Sequence, residues 1–265
     1  MKVESRSSLM VVVALLLAFP QSQVEAKDSP KHGEVLWAKN RIRATGSGAP
    51  DLKAANVAVA RLGAERAAKL DALRNILETT KGVRVSTGKS VGNVLADDKE
   101  LRTKIEGWVK GFKVIDTRYY SDGGVDLVVE MPIDGVFFDA FLEGKKVAGA
   151  KSKEGDLFTG LIFNAKGLGF EPALAPTVKS ESGEVLFDVS LVQDNLIGES
   201  GAVGYSATLD KAQKDARSGE RPLVVRALRT SSPASSDLVV ADKDLEKIKA
   251  LAGVIQAGKV MVVID

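Results

Sequence analysis

Apolar and polar positions alternate early in the chain. In residues 34–46 (EVLWAKNRIRATG), Ile42 and Ala44 fall on one side and Arg41 and Arg43 on the other, the pattern of a half-buried strand. Gly46-Ser47-Gly48-Ala49-Pro50-Asp51 then reads as a tight turn that opens a helix, since proline suits the first helical positions and Asp51 suits the positive end of the helix dipole. The helix is expected from about Asp51 to Thr80. Val59, Gly63, Ala67, Leu70, Leu73 and Leu77 recur at spacings of three and four and are expected to share its buried face, with Gly63 and Ala67 admitting a sheet closely. Gly82 punctuates its end.

The period then changes. Val83-Arg84-Val85 reads as a short strand and residues 88–93 as a Gly/Ser/Asn-rich loop. Residues 97–109 (DDKELRTKIEGWV) read as a helix capped by Asp97 or Asp98, with Leu101, Ile105 and Trp108 facing inward. Residues 112–120 and 125–133 are strands joined at Ser121-Asp122-Gly123-Gly124, a hairpin turn. Asp134 to Leu142 reads as a short helix. Charged and small residues fill 143–156 (EGKKVAGAKSKEGD), the composition of a linker. Beyond it, strands are expected at Phe158–Ala165, 173–178, 185–187, 203–207, Pro222–Leu228 and Asp237–Val240, with helices at 208–217 and 242–252. The closing strand Lys259–Ile264 is apolar on both faces, which suits the middle of a sheet. The class is therefore α+β in two small units, 34–142 and 157–265. The first would be a long and a shorter helix packed on a small sheet with a C-terminal hairpin.

The N-terminus follows a different logic. Lys2 and Arg6 precede the unbroken apolar run Leu9–Phe19, Pro20 breaks it, and Val24-Glu25-Ala26 offers small or modest residues at the positions a signal peptidase reads. That order predicts a secretory signal at 1–26 and a polar tail at 27–33. The run is too short to span a bilayer, which takes about 20 apolar residues. There is no cysteine, which removes disulfides, thiolate metal sites, a cysteine nucleophile and a lipid-modified cysteine. Residues 27–118 carry 19 Lys/Arg against 11 Asp/Glu and residues 119–265 carry 16 against 22, so the front is basic and the rear acidic. The basic front suits an anionic partner, although Glu65, Asp71 and Glu78 interrupt it on the long helix. No basic stripe interleaved with aromatics points to nucleic acid.

No motif for chemistry survives scrutiny. Gly46-x-Gly48 lacks the third glycine of a dinucleotide site, and Asp51 in that place would repel a pyrophosphate. Gly88-Lys89-Ser90 ends like a phosphate loop, but Val83 stands where its first glycine belongs, and VGNVLADD looks a poor helix start. The single histidine, His32, lies in the polar tail, poorly placed to serve a serine nucleophile. Ser86-Thr87-Gly88-Lys89 has the letters of a Ser-x-x-Lys pair in a strand-to-loop stretch. Asp97, Asp98 and Glu100 are explained as a helix start rather than an all-oxygen metal site. The expectation is no enzyme, no cofactor and no catalytic or metal residues.

Residues 60–85 (ARLGAERAAKLDALRNILETTKGVRV) with 105–133 (IEGWVKGFKVIDTRYYSDGGVDLVVEMPI) resemble the core of the Lpp-twenty lipoprotein family and the N-terminal domain of flagellar assembly protein T. The shared features are the alanine-rich helix from Ala60-Arg61, Arg74-Asn75 near its end, Gly82-Val83, Gly107 and Gly111, and the strand pair closing at Pro132. The resemblance covers about residues 40–140. It implies a periplasmic or outer-membrane-associated protein with helices on a small sheet, and it brings no catalytic residues. Lpp-twenty members are anchored through a lipidated cysteine, which this chain lacks. The expected function is an exported envelope protein working as a protein-binding or structural accessory, with a trans-envelope assembly as one setting and free sheet edges available to a second copy. The alternatives are a periplasmic ligand or peptidoglycan binder and a hydrolase built on Ser, Lys and carboxylates.

Overall fold

The computed structural model describes residues 32–133, 135–142 and 157–265. The expected signal segment, residues 27–31 of the tail, Asp134 at the start of the expected short helix and the linker 143–156 lie outside the described residues.

The first unit is built on a four-stranded antiparallel sheet. Strands β1 (Gly33–Leu36) and β2 (Arg41–Gly48) form a hairpin closed by a 3-10 turn and by Asn40, whose φ of 48° is left-handed. The polar tail therefore ends one residue earlier than expected, with Gly33 already in a strand. The strand β2 also runs through Gly46 and Gly48, where a turn was expected. Both glycines lie on the face that meets the helix α1 (Val57–Gly82). A Cβ at Gly46 would sit 2.1 Å from the Ala72 backbone nitrogen, and one at Gly48 would sit 1.9 Å from the Ala64 carbonyl oxygen. The two glycines are there to let a helix touch a strand, backbone to backbone.

The same contact explains two further departures. The helix starts at Val57, where the Asn56 side chain accepts the Val59 N–H at 3.0 Å, while Asp51 instead folds back on the Lys53 N–H at 2.8 Å in a turn ahead of it. Its buried face is Ala64, Ala68, Ala72, Ile76 and Thr80. The expected face is wrong at its N-terminal half: Val59 and Leu70 are 49% and 69% exposed, and Gly63 has nothing near its missing Cβ. Alanine wins over leucine because a leucine on the sheet side would hold the helix off Gly46 and Gly48. Further along, Leu73 and Leu77 are partly buried against the core.

Strand β3 (Arg84–Ser86) and strand β4 (Lys89–Ser90) form a small hairpin, and α2 (Val91–Asp97) follows at once. Residues 88–93 are thus not simply a loop. Ser90 accepts the Asn93 N–H and the Asn93 side chain accepts the Ser90 N–H, so the two residues cap the helix reciprocally. Asp98 caps α3 (Lys99–Val109) by accepting the Leu101 N–H at 2.8 Å. Ile105 is buried, with Leu101 and Trp108 packed partly against the core, as expected. Strands β5 (Lys113–Tyr119) and β6 (Val125–Pro132) form the expected hairpin, and α4 (Gly135–Leu142) the expected short helix. The sheet order is β1-β2-β6-β5.

The second unit is a seven-stranded mixed sheet. Its strands are β7 (Gly160–Asn164), β8 (Thr177–Ser180), β9 (Val185–Phe187), β10 (Gly204–Ser206), β11 (Pro222–Thr230), β12 (Asp237–Val240) and β13 (Val260–Val263), in the order β10-β13-β7-β11-β12-β8-β9. The closing strand β13 lies between β10 and β7, parallel to both, and all four of its residues are buried. Residues 173–176, expected to be extended, precede β8 outside the strand. Helix α5 (Asp194–Ser200) was not foreseen, and the helical stretches at 208–217 and 242–252 break into α6 (Leu209–Lys214), α7 (Leu245–Lys249) and α8 (Ala252–Gln256) with 3-10 turns.

One continuous buried apolar core runs through both units. The Leu174 and Ala175 N–H groups donate to the Arg84 and Val85 carbonyls at 3.0 and 2.9 Å, and Arg84 pairs with Glu171. Trp37 meets Tyr205 edge to face at 5.4 Å. Helices α4 and α5 touch at glycine, since a Cβ on Gly135 would lie 2.6 Å from the Gly198 carbonyl oxygen.

Candidate functional site

The residues weighed for chemistry are each used structurally. Gly88, with φ of 73°, turns the β3–β4 hairpin, and Ser90 is spent on the α2 cap. Ser86 and Lys89 are cross-strand neighbours in that hairpin with Lys89 exposed. Thr87 bonds across to the second unit, its Oγ1 lying 3.2 Å from the Ser235 hydroxyl and accepting the Ser236 N–H at 3.0 Å. Asp98 caps α3 and Glu100 pairs with Lys104 at 3.7 Å. His32 is exposed, and its carbonyl accepts the Thr45 N–H. Among the described residues no group of three His, Cys, Asp or Glu side chains is arranged to hold a metal.

The most buried charge cluster is also explained by the sheet. Glu130 on β6 lies directly across from Arg43 on β2, and the Arg43 guanidinium donates to its Oε1 at 2.6 and 2.9 Å. Arg41 reaches the other oxygen at 3.5 Å, and Glu34 lies 3.7 Å from Arg43. This is a cross-strand ion network on the sheet face away from α1.

A different kind of site lies at the sheet edge. Among the described residues four strands end the two larger sheets: β1, β5, β9 and β10. With seven residues, β5 is the longest of them. Its inner side pairs with β6, and its outer row of N–H and C=O groups has no strand beside it among the described residues. Val114, Ile115, Tyr119 and Tyr120 expose 46%, 48%, 54% and 45% of their surface along this edge. Ile115 is the extra residue of a bulge between Val114 and Asp116. Lys113, Asp116 and Arg118 interleave charge, with Arg118 Nε 3.1 Å from Asp116 Oδ2.

The two tyrosines are held in place. Tyr119 donates its hydroxyl to Glu65 on α1 at 2.9 Å, and the Arg61 guanidinium carbon sits 5.4 Å from its ring centre. Tyr120 donates to Asp126 at 2.6 Å. These carboxylate hydrogen bonds raise both phenols above their ordinary value. The edge thus presents free backbone groups, two aliphatics and two anchored rings, the elements needed to add a strand from another chain. The bulge and the charges restrict which strand can pair there.

A second concavity lies between α3 and α4. It is an open groove of about 570 Å³ lined by Lys104, Gly107, Trp108, Val136, Asp139 and Ala140, with the Trp108 and Phe137 ring centres 4.8 Å apart and their planes tilted by 36°.

Fold and surfaces together define a mixed α+β protein whose first unit has, among the described residues, an unpaired sheet edge. Residues 160–265 match the family described as Treponema pallidum Tp0624, second domain. The match begins on the first residue of β7 and covers the whole seven-stranded sheet. Comparison with curated proteins finds no match to the chain.

Proposed function

We propose that this chain is an exported envelope protein that acts by binding other proteins, as an accessory or structural module of a trans-envelope assembly. The observation that carries the binding part is the β5 edge, where backbone groups unpaired among the described residues run beside Val114, Ile115, Tyr119 and Tyr120. Export is supported by the basic, apolar and small-residue order of residues 1–26. The envelope setting is supported by the resemblance of residues 40–140 to the Lpp-twenty family and the flagellar assembly protein T domain. The test is crosslinking in intact cells, then recovery of the tagged protein from the envelope fraction and mass spectrometry. Defined envelope components captured by the wild type and lost from Ile115→Lys support the proposal. Retention in the cytoplasm, or an exported protein that captures nothing, refutes it. The flagellar version predicts impaired swimming on gene deletion, and normal flagella remove it.

The α3–α4 groove favours a second reading, a ligand or cell-wall fragment binder, because its volume lies in the range of small-molecule sites. A melting point raised by peptidoglycan fragments, and not in Trp108→Ala, would establish that reading.

A further inference from the structure

Helix α1 carries two apolar stripes. One is the alanine face on the sheet. The other points outward over the helix's N-terminal half. Successive residues turn by about 100°, so an arc of about 160° opposite the alanines holds, besides the partly buried Leu73, the residues Val59, Leu62, Gly63, Arg66, Ala67, Lys69, Leu70 and Arg74. All eight are exposed, Leu62 and Leu70 by 55% and 69%. The arc holds three cations and no carboxylate.

The acids of this half of the helix are turned away and engaged. Glu65 accepts the Tyr119 hydroxyl, and Asp71 accepts the Ser47 N–H at 3.0 Å and the Asn75 side-chain amide at 3.2 Å. Arg66, Lys69 and Arg74 have no ion-pair partner among the described residues. Just before the helix, Leu52 is 92% exposed beside Lys53, and Val57 is 72% exposed at its first turn.

We propose that this outward face of α1 rests on an anionic lipid surface, the aliphatic side chains entering the headgroup region while Arg66, Lys69 and Arg74 pair with lipid phosphates. Charge complementarity selects the occupant. Unopposed cations interleaved with aliphatics on a convex helix face suit an interfacial helix, and Gly63 and Ala67 let the helix lie low. A protein groove taking this helix would need to be acidic as well as apolar, and the acidic residues 119–265 belong to the same chain. The proposal is independent of the β5 edge.

The test uses residues 27–265, which retain every described residue, in sedimentation with phosphatidylcholine vesicles, with and without phosphatidylglycerol. The wild type should partition to the phosphatidylglycerol vesicles, and less so as salt is raised. Replacing three cations by R66Q/K69Q/R74Q should weaken partitioning about 100-fold. L62Q/L70Q should weaken it at least about tenfold. All five substituted positions are exposed, so near-ultraviolet circular dichroism should be unchanged in both variants. Equal partitioning of wild type and R66Q/K69Q/R74Q overturns the proposal. So does a wild type that ignores anionic vesicles, including one whose α1 variants instead lose a protein crosslink.

Discussion

Gly46→Ala adds one methyl group where the fold has no room for it. The new Cβ would lie 2.1 Å from the Ala72 nitrogen, 2.2 Å from the Ala68 carbonyl oxygen and 2.6 Å from the Ala72 Cα. All three are backbone atoms of α1, so no side chain can rotate away. The helix would have to retreat from β2 by more than about 1 Å, loosening Ala64, Ala68 and Ala72 from the sheet together. Overpacking a core usually costs about 1–3 kcal/mol, and a backbone obstruction belongs at the upper end, about 3 kcal/mol. For a chain of this size that is a fall in melting temperature of about 6–12 °C. Gly63→Ala is the matched control, the same methyl group with nothing within 4 Å of it. In a helix interior it should stabilise by about 0.5–1 kcal/mol. Thermal unfolding followed by circular dichroism, with urea melts to check that the slope is unchanged, measures both. If Gly46→Ala melts within about 2 °C of wild type, or Gly63→Ala is the more damaging change, the packing account is wrong.

Other parts of the structure predict separately. Glu130→Ala strands Arg43, whose side chain is only 13% exposed, and should cost about 3 kcal/mol in urea unfolding, whereas Glu100→Ala, from a pair 64% and 85% exposed, should cost under about 0.5. Asp98→Ala removes the cap of α3 and should cost about 1 kcal/mol in the same assay. Burial raises the Tyr205 phenol well above its ordinary 10.0, although the Ala173 N–H, donating to the phenol oxygen at 3.1 Å, favours the ionised form. The folded state therefore holds that proton more tightly than the unfolded one. The resulting stability is complete below the ordinary phenol value and is lost as pH rises above it. Tyr205→Phe should flatten the alkaline limb of a stability-against-pH curve, and an unchanged limb would show that Tyr205 does not set it.

Some of this was written plainly in the sequence. The β5–β6 hairpin follows from two apolar runs around Ser121-Asp122-Gly123-Gly124, and β13 was identified as an interior strand because Val260–Val263 leaves no polar face. The α1 face was not legible, because its two apolar stripes share one period. Hydrophobicity favours the leucines, but the contact with Gly46 and Gly48 admits only the alanines. Helix α2 was hidden by Gly92 and Asn93, which resemble turn residues until Asn93 is seen closing a capping box with Ser90. Helix α5 was hidden by Gly198, a residue that disfavours helices, although it is the missing Cβ of Gly135 on α4 that lets the two helices meet at the Gly198 carbonyl. The edge site was invisible for another reason. Whether a strand is terminal depends on sheet order, and β5 alone gave only the hint of adjacent Val114-Ile115 breaking the alternation.

The most direct test of the binding account is a photoreactive side chain at residue 115 on β5, activated in living cells, with one at exposed Thr103 on α3 as control. A discrete adduct from position 115 to one envelope protein, absent from position 103, is the predicted result. No adduct at 115 from an exported protein, or the same adducts from both positions, would contradict it.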